Sequence, residues 1–286
     1  MSAAIIKTEA SQKRRNFISK FLIYFFLIVI TACMLLPFLW MLSSSFKLNK
    51  DVFGFPIQWI PKNPRWQSYV DIWTQIPLLT FVKNTVKITV VVTLLQLFTS
   101  SFAAYAFAKM QFKGKNALFL GYIATIAVPW QAYMVPQFMM MSSWHLNNTH
   151  LAIMCLQAFS AFGVFLMKQF SEGIPTEMLE AARIDGASEA RTFVKIVLPM
   201  VKPGIGALAI FTFINSWNDY FMQLIMLSST SNLTISLGIA KLQAENSTDF
   251  GLIMAGAALA AVPIIIIFLI FQKYFTKGIA MGAVKG

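Results

Sequence analysis

The sequence predicts an all-α integral membrane protein with six transmembrane helices, on three observations. Composition comes first: 57% of the 286 residues are hydrophobic, 27 of them Phe, and only 12% are charged, where soluble domains carry about 25%. Second, six long stretches contain almost no charge. Third, the basic residues fall unevenly on the segments that join those stretches. Open strands would leave backbone groups unpaired in lipid, so the spanning elements are expected to be helices.

The first stretch, residues 21–46, lies between Lys20 and Lys47 and runs 26 residues without a charge. Basic residues precede it as in a signal peptide, but a signal core is roughly 7 to 15 residues. An uncleaved first helix is expected. Residues 47–83 contain Pro56, Pro61 and Pro64, then Trp66, Tyr69, Ile72 and Trp73. Those last spacings predict a short amphipathic helix at the outer interface, with a packed loop as the alternative. Residues 88–108, 116–144 and 151–167 supply helices two, three and four; the fourth is at the short limit of the roughly 17 to 25 residues a span needs. Residues 203–218 supply the fifth, with an apolar run continuing past Asp219 to Leu227, and residues 250–272 the sixth. Pro37, Pro129, Pro136 and Pro263 lie inside these stretches and are candidate kinks. The division is thus an N-terminal segment 1–20, a membrane body 21–272 and a tail 273–286.

Placing the charges sets the expected orientation. With the N-terminus in the cytoplasm, 16 Lys and Arg fall before helix one, in 109–115, in 168–202 and at the C-terminus, against 7 elsewhere. That bias predicts cytoplasmic N- and C-termini. The net charge of +12 is then topology, and no nucleic-acid partner is expected. Cys33 and Cys155 sit inside predicted spans as packing residues, and His145 and His150 have no carboxylate or Cys beside them, so no metal site is expected.

Residues 168–202 are too structured for a linker. Pro175 suits a first helical turn, 176–184 holds good helix formers, and Asp185-Gly186 breaks them. A second helix through Ala190 and Val194 is expected to end before Pro199, capped by Asp185 or Ser188. The segment is therefore a cytoplasmic helix–turn–helix.

Within it, Glu180-Ala181-Ala182, three residues, Gly186, nine residues, Ile196, one residue and Leu198-Pro199 resemble the signature loop of ABC importer permeases. Phe162-Gly163-Val164-Phe165-Leu166, Trp217-Asn218-Asp219, the run Asp249-Phe250-Gly251 with Ala255-Gly256, and the closing Gly282-Ala283-Val284-Lys285-Gly286 extend the likeness. Together they are similar to the smaller permease subunit of carbohydrate importers related to the maltose transporter. The resemblance implies a heterodimer with a second permease, two ATP-binding subunits, an extracellular solute-binding protein and a sugar, preferably an oligosaccharide. It implies ATPase coupling through Glu180, Ala181, Ala182, Asp185, Gly186, Ile196, Leu198 and Pro199. It also implies a tail contact through Gly282, Lys285 and Gly286. No G-x-x-x-x-G-K-[ST] phosphate loop occurs. No cofactor is expected in this chain, and ATP and Mg are expected on the partner ATPase subunits. No catalytic constellation is visible, so the chain reads as a transporter subunit of the bacterial plasma membrane.

In the fifth stretch Asn215, Trp217, Asn218 and Asp219 are candidate pathway or gate residues, because an intramembrane acid points to function by default. The alternative is helix–helix hydrogen bonding. Two rival functions remain open at this level. One is an ABC permease for a non-sugar solute. The other is an ion-coupled secondary transporter, which would call for repeated halves and paired intramembrane charges.

Overall fold

Every regular element among the residues that the computed structural model describes, 2–245 and 248–283 (side chains over 17–245 and 248–272), is helical. The chain divides into two compact units, Met1–Ile72 with Asn246–Ala258, and Trp73–Glu245 with Leu259–Gly286.

In the first unit, α1 (Ser2–Ser44) starts well before residue 21, so the predicted N-terminal segment is helical too. Its apolar part, Phe17–Ser44, is 28 residues long with none of its most apolar window buried within the chain. A helix apolar on all sides is a membrane span and not a surface helix. Two short helices follow, α2 (Asn49–Val52) and α3 (Gln67–Gln75). The segment that follows α1 is anchored to its end by aromatic contacts. Trp40 meets Trp59 at 5.6 Å, and Phe46 meets Trp66 at 4.7 Å and Tyr69 at 5.1 Å. Ser43 Oγ donates to the Trp59 carbonyl at 2.6 Å, and the Ser45 and Tyr69 hydroxyls pair at 2.8 Å. The predicted amphipathic helix is present as α3, but its buried residues are Ser68 and Ile72, while Trp66 and Trp73 remain exposed.

The second unit is built on α4 (Leu78–Lys109), which begins ten residues ahead of the predicted second span. The predicted third span is a correction: it is not one helix. It breaks into α5 (Lys115–Ala124), two 3-10 turns at Thr125–Ala127 and Trp130–Ala132, and α6 (Met134–Ser143). Pro129 cannot donate to the preceding turn and drives Val128 out of the helical region, to φ −85 and ψ 114. The predicted fourth span is also bent, by 46°, between α7 (His150–Leu156) and α8 (Ala161–Glu172). Thr149 and Ser160 cap the two halves through the amides of Ala152 and Gly163. On α8, Gly163 lies so close to α4 that a Cβ would stand 2.4 Å from Ser100 Oγ. Small residues of this kind let membrane helices cross closely.

The chain then runs through α9 (Thr176–Ile184), α10 (Glu189–Thr192), a π turn over Phe193–Val197, and α11 (Leu198–Met200). It turns by 79° into α12 (Lys202–Asn218). Pro199 does not end the second helix as expected; the chain turns at Val201 instead. The wide π turn explains this. Leu198 N donates five residues back to Phe193 O, which opens the spacing where the proline ring would otherwise meet the carbonyl four residues before it. After Asp219 come α13 (Phe221–Met226), α14 (Ile235–Glu245) and α15 (Phe250–Ala283). α15 carries Pro263 inside it and continues helically through Gly282 of the predicted tail, while Lys285 and Gly286 lie outside the described residues. By length and composition, Phe17–Ser44, Leu78–Lys109 and Phe250–Gln272 can each cross a membrane alone, and the two bent pairs bring the number to as many as 5 among the described residues.

Candidate functional site

The segment that carries the Glu-Ala-Ala motif is held by local rules. α9 ends in a Schellman motif: Ala187 N donates to Ala182 O at 2.9 Å and Gly186 N to Arg183 O at 3.0 Å. Gly186 takes φ +77, the left-handed conformation that closes this motif. Ser188, not Asp185, caps α10, its hydroxyl accepting from Arg191 N at 3.3 Å. The knuckle therefore has a defined angle between its two helices.

Its residues divide into two sets. Glu180, Ala181, Asp185, Gly186 and Pro199 are exposed. Ile184 joins them at 87% exposure, and Met178 at 45%. Motif membership had singled out neither of these two. Ala182 is buried, and Ile196 and Leu198 are half-buried against the core. That core joins Leu179, Phe193, Val197 and Val201 to Tyr105 and Ala104 of α4, Met167 of α8 and Leu208 of α12. Ile196 and Leu198 thus support the knuckle from beneath; they do not belong to its outer face.

A polar tie adds to this apolar mount. The Tyr105 hydroxyl donates to Glu189 Oε2 at 2.5 Å, and Arg183 Nε donates to Glu189 Oε1 at 2.9 Å. Glu189 thereby links α9, α10 and α4. The Tyr105 hydroxyl, and after it Arg183, hold its carboxyl below the usual carboxylate range. Sequence offered no signal for this tie, since Tyr105 and Glu189 are 84 residues apart.

At the other end of α12 lies a cavity of about 500 Å³ between α4, the 157–160 break, the Trp130 turn and α13. Asn215 and Asp219 line it, one helical turn apart on the same face. Trp217 and Asn218 do not. Trp217 is buried, stacked on Phe213 at 5.6 Å, with Nε1 donating to Ala260 O at 3.2 Å. Asn218 is exposed and donates to Ile214 O at 3.0 Å. Residues the sequence reading passed over complete the lining, among them Gln96, Gln137, Gln157, Trp130 and Tyr133. Gln96 and Gln157 join Thr212 and Asp219 in one connected chain. Thr212 Oγ1 donates to Gln96 Oε1 at 3.0 Å, Gln96 Nε2 to Gln157 O at 2.8 Å, and Gln157 Nε2 to Asp219 Oδ2 at 2.6 Å. Irregular backbone at membrane depth is tolerated where it lines a cavity, and the breaks near Pro129 and Gln157 both do so.

Comparison with known proteins places these features in context. Residues 9–281 match the family model described as binding-protein-dependent transport system inner membrane component. The chain is 34% identical over 253 residues to the arabinooligosaccharides transport system permease protein of Halalkalibacterium halodurans, covering 87% of this chain and 91% of that one. It is 33% identical over 265 residues to the melibiose/raffinose/stachyose import permease protein of Bacillus subtilis, covering 91% and 95%. Among solved structures, a chain of a bacterial ABC transporter involved in the import of the acidic polysaccharide alginate superposes with a TM-score of 0.80 at 23% identity, over 92% of this chain and 98% of that one. At that identity the likeness is one of fold.

Proposed function

The chain belongs to the binding-protein-dependent transport system inner membrane components, multi-pass proteins of the bacterial plasma membrane, and from that membership we propose that it forms half of the pathway by which an ATP-driven importer takes up an oligosaccharide. A solute-binding protein delivers the sugar, a second permease supplies the other half, and two partner subunits bind ATP and Mg. The observation that carries this reading is the knuckle. Glu180, Ala181 and Ile184 face outward on a helix pair fixed to α4, α8 and α12, as a mechanical input to a membrane body requires. The relatives named above, whose names specify oligosaccharides, support the substrate class. The test is uptake of labelled oligosaccharide into proteoliposomes holding the whole complex. Uptake that persists without ATP, or without the binding protein, would overturn the reading.

This reading includes six crossings, with the α5–α6 region and α12–α13 each completing one in pieces, and cytoplasmic ends. Single cysteines at positions 58 and 232 are then expected to react with an impermeant thiol reagent from outside, and one at 188 to be protected. Cys33 and Cys155 are both exposed, so the reporters go into a chain with those two replaced. Labelling of position 188 in sealed cells would reverse the topology.

Ile184 supplies a second check. Ile184, exposed at 87% on the outward face of α9, is available to a partner, and burying an Ile side chain contributes about 1.5 to 3 kcal/mol. Ile184→Glu is expected to leave insertion unchanged and to weaken ATPase attachment about tenfold or more. Attachment at wild-type strength, read by titrating the ATPase subunit onto nanodisc-held permeases, would place Ile184 outside the interface.

A further inference from the structure

The cavity beside α12 has a one-sided chemistry. Of its lining residues, Asp219 is the one carboxylic acid; the lining contains no Lys, Arg or His. The rest of the polar surface is neutral, with amides and hydroxyls from Gln96, Gln137, Gln157, Asn215, Ser160 and Ser216 among it. We infer that this cavity is a subsite for a neutral oligosaccharide, contributed by this chain itself, and that Asp219 excludes uronate-bearing sugars from it. The inference rests on the carbohydrate reading proposed above and names the kind of carbohydrate.

Three features support it. Asp219 is only partly satisfied by protein. Oδ2 accepts from Gln157 and Oδ1 from Met222 N at 3.3 Å, while a carboxylate offers about four acceptor positions. The remaining positions suit hydroxyl donors, which every neutral sugar ring carries. An incoming carboxylate has no donor to give and brings a like charge into a low-dielectric site. Second, Ser216 is buried and its hydroxyl has no protein partner, though the residue lines the cavity. Buried hydroxyls are ordinarily paired, so this one marks a polar position that a ligand group can satisfy. Third, the cavity has an aromatic wall. The indole of Trp130 is fixed by donation from Nε1 to Gln137 Oε1 at 2.9 Å, with Tyr133 beside it in the lining. Such a ring offers an apolar face to the C–H side of a pyranose while the amides opposite meet its hydroxyls. The volume, about 500 Å³, is in the range of small-molecule sites, roughly 300 to 1,000 Å³.

The test reads sugar binding to the assembled complex in nanodiscs by saturation-transfer NMR, without the binding protein, so that the other gatekeeper cannot set the outcome. The probes are raffinose, arabinotriose and maltotriose as neutral sugars and trigalacturonate as the acidic one. At least one neutral probe is expected to bind wild type, and trigalacturonate to bind it at least about tenfold more weakly. Asp219→Asn is expected to narrow that gap, and Trp130→Ala and Asn215→Leu each to remove the neutral signal while the complex stays assembled by gel filtration. Asn215 is exposed, so its variant tests the subsite even if the tryptophan variant misfolds. Equal binding of trigalacturonate and neutral sugars by wild type would overturn the selectivity. Neutral binding untouched by both Trp130→Ala and Asn215→Leu would assign the subsite to the partner permease and overturn the inference alone. No binding of any probe, in a complex whose uptake of these sugars is also absent, would overturn the carbohydrate reading beneath it.

Discussion

Gly186→Val is expected to leave the chain in the membrane, release the ATPase subunits from the purified complex and reduce uptake by more than about tenfold. The reason is conformational and not steric. A Cβ built on Gly186 meets nothing within 4 Å, but the residue sits at φ +77, where L-residues cost on the order of 1 to 2 kcal/mol and branched ones more. A valine relieves that cost by abandoning the left-handed turn. The bonds from Gly186 N to Arg183 O and from Ala187 N to Ala182 O then break together, and the angle between α9 and α10 is lost. With it goes the arrangement of Glu180, Ala181 and Ile184. Gly186→Asn is the discriminating control, because Asn tolerates the left-handed region and open space surrounds the position. Asn is expected to retain most attachment and uptake. If Asn fails as badly as Val, the position requires the absence of a side chain, as at a tight protein contact, and the conformational account is wrong. Glu180→Lys tests the same face by charge. It removes a carboxylate able to make a charge-assisted hydrogen bond, about 1.5 to 3 kcal/mol when desolvated, and is expected to weaken attachment without altering insertion.

What the sequence made legible, and what it hid, follows from the range of the forces involved. The knuckle was readable because its punctuation is local: Pro175, Gly186 and Ser188 act on the backbone within a few residues, and each acts close to where it was expected. The apolar stretches were readable as apolar, but hydropathy averages over a window and passes across a break of a few residues. Trp130, Tyr133, Gln157 and Ser160 are neutral and keep the window apolar, so the broken backbone at the cavity was marked only by Pro129. Trp217 stands away from the cavity for a reason the sequence did contain. Residues two apart on a helix face opposite ways, so Trp217 cannot share the face of Asn215 and Asp219. Ile196 and Leu198 belong to the motif yet pack inward, which a motif cannot reveal because it records identity without direction.

Tyr105→Phe is expected to uncouple the importer without dismantling it. ATPase attachment and basal ATP hydrolysis stay within about twofold of wild type, while sugar transported per ATP falls several-fold. Under the function proposed above, docking on the knuckle would move α9 and α10, and useful work would require that α4 and α12 follow. The apolar core transmits compression, and two side-chain ties to α4 add direction: the Tyr105 hydroxyl on Glu189 at 2.5 Å, and Lys109 Nζ on the Ile174 carbonyl at 2.6 Å just ahead of α9. The second bond of Glu189, to Arg183, joins side chains 44% and 43% exposed, where solvent screens an ion pair. Tyr105 is 2% exposed, and a hydrogen bond from it to a carboxylate falls in the stronger class, about 1.5 to 3 kcal/mol. Magnitude therefore assigns the mechanical role to the tyrosine arm. The Phe side chain keeps the ring contact with Phe193 at 5.5 Å and leaves the outer face of the knuckle intact, so attachment reports docking and the sugar-to-ATP ratio reports transmission. Arg183→Ala is expected to lower that ratio less than Tyr105→Phe does, and Glu189→Ala at least as much. The pH dependence has a defined sign. Because the folded carboxyl of Glu189 titrates below its ordinary value of 4.5, the tie is fully formed above that value and is lost only as pH falls through the lower folded one. Coupling in wild type is thus expected to be flat from about pH 8 to pH 5 on this account. Measured in proteoliposomes, a Tyr105→Phe ratio equal to wild type would remove the Tyr105–Glu189 bond from the transmission path and leave coupling to the apolar core and the Lys109 bonds, and an Arg183→Ala loss larger than the tyrosine's would reverse the ranking of the two arms.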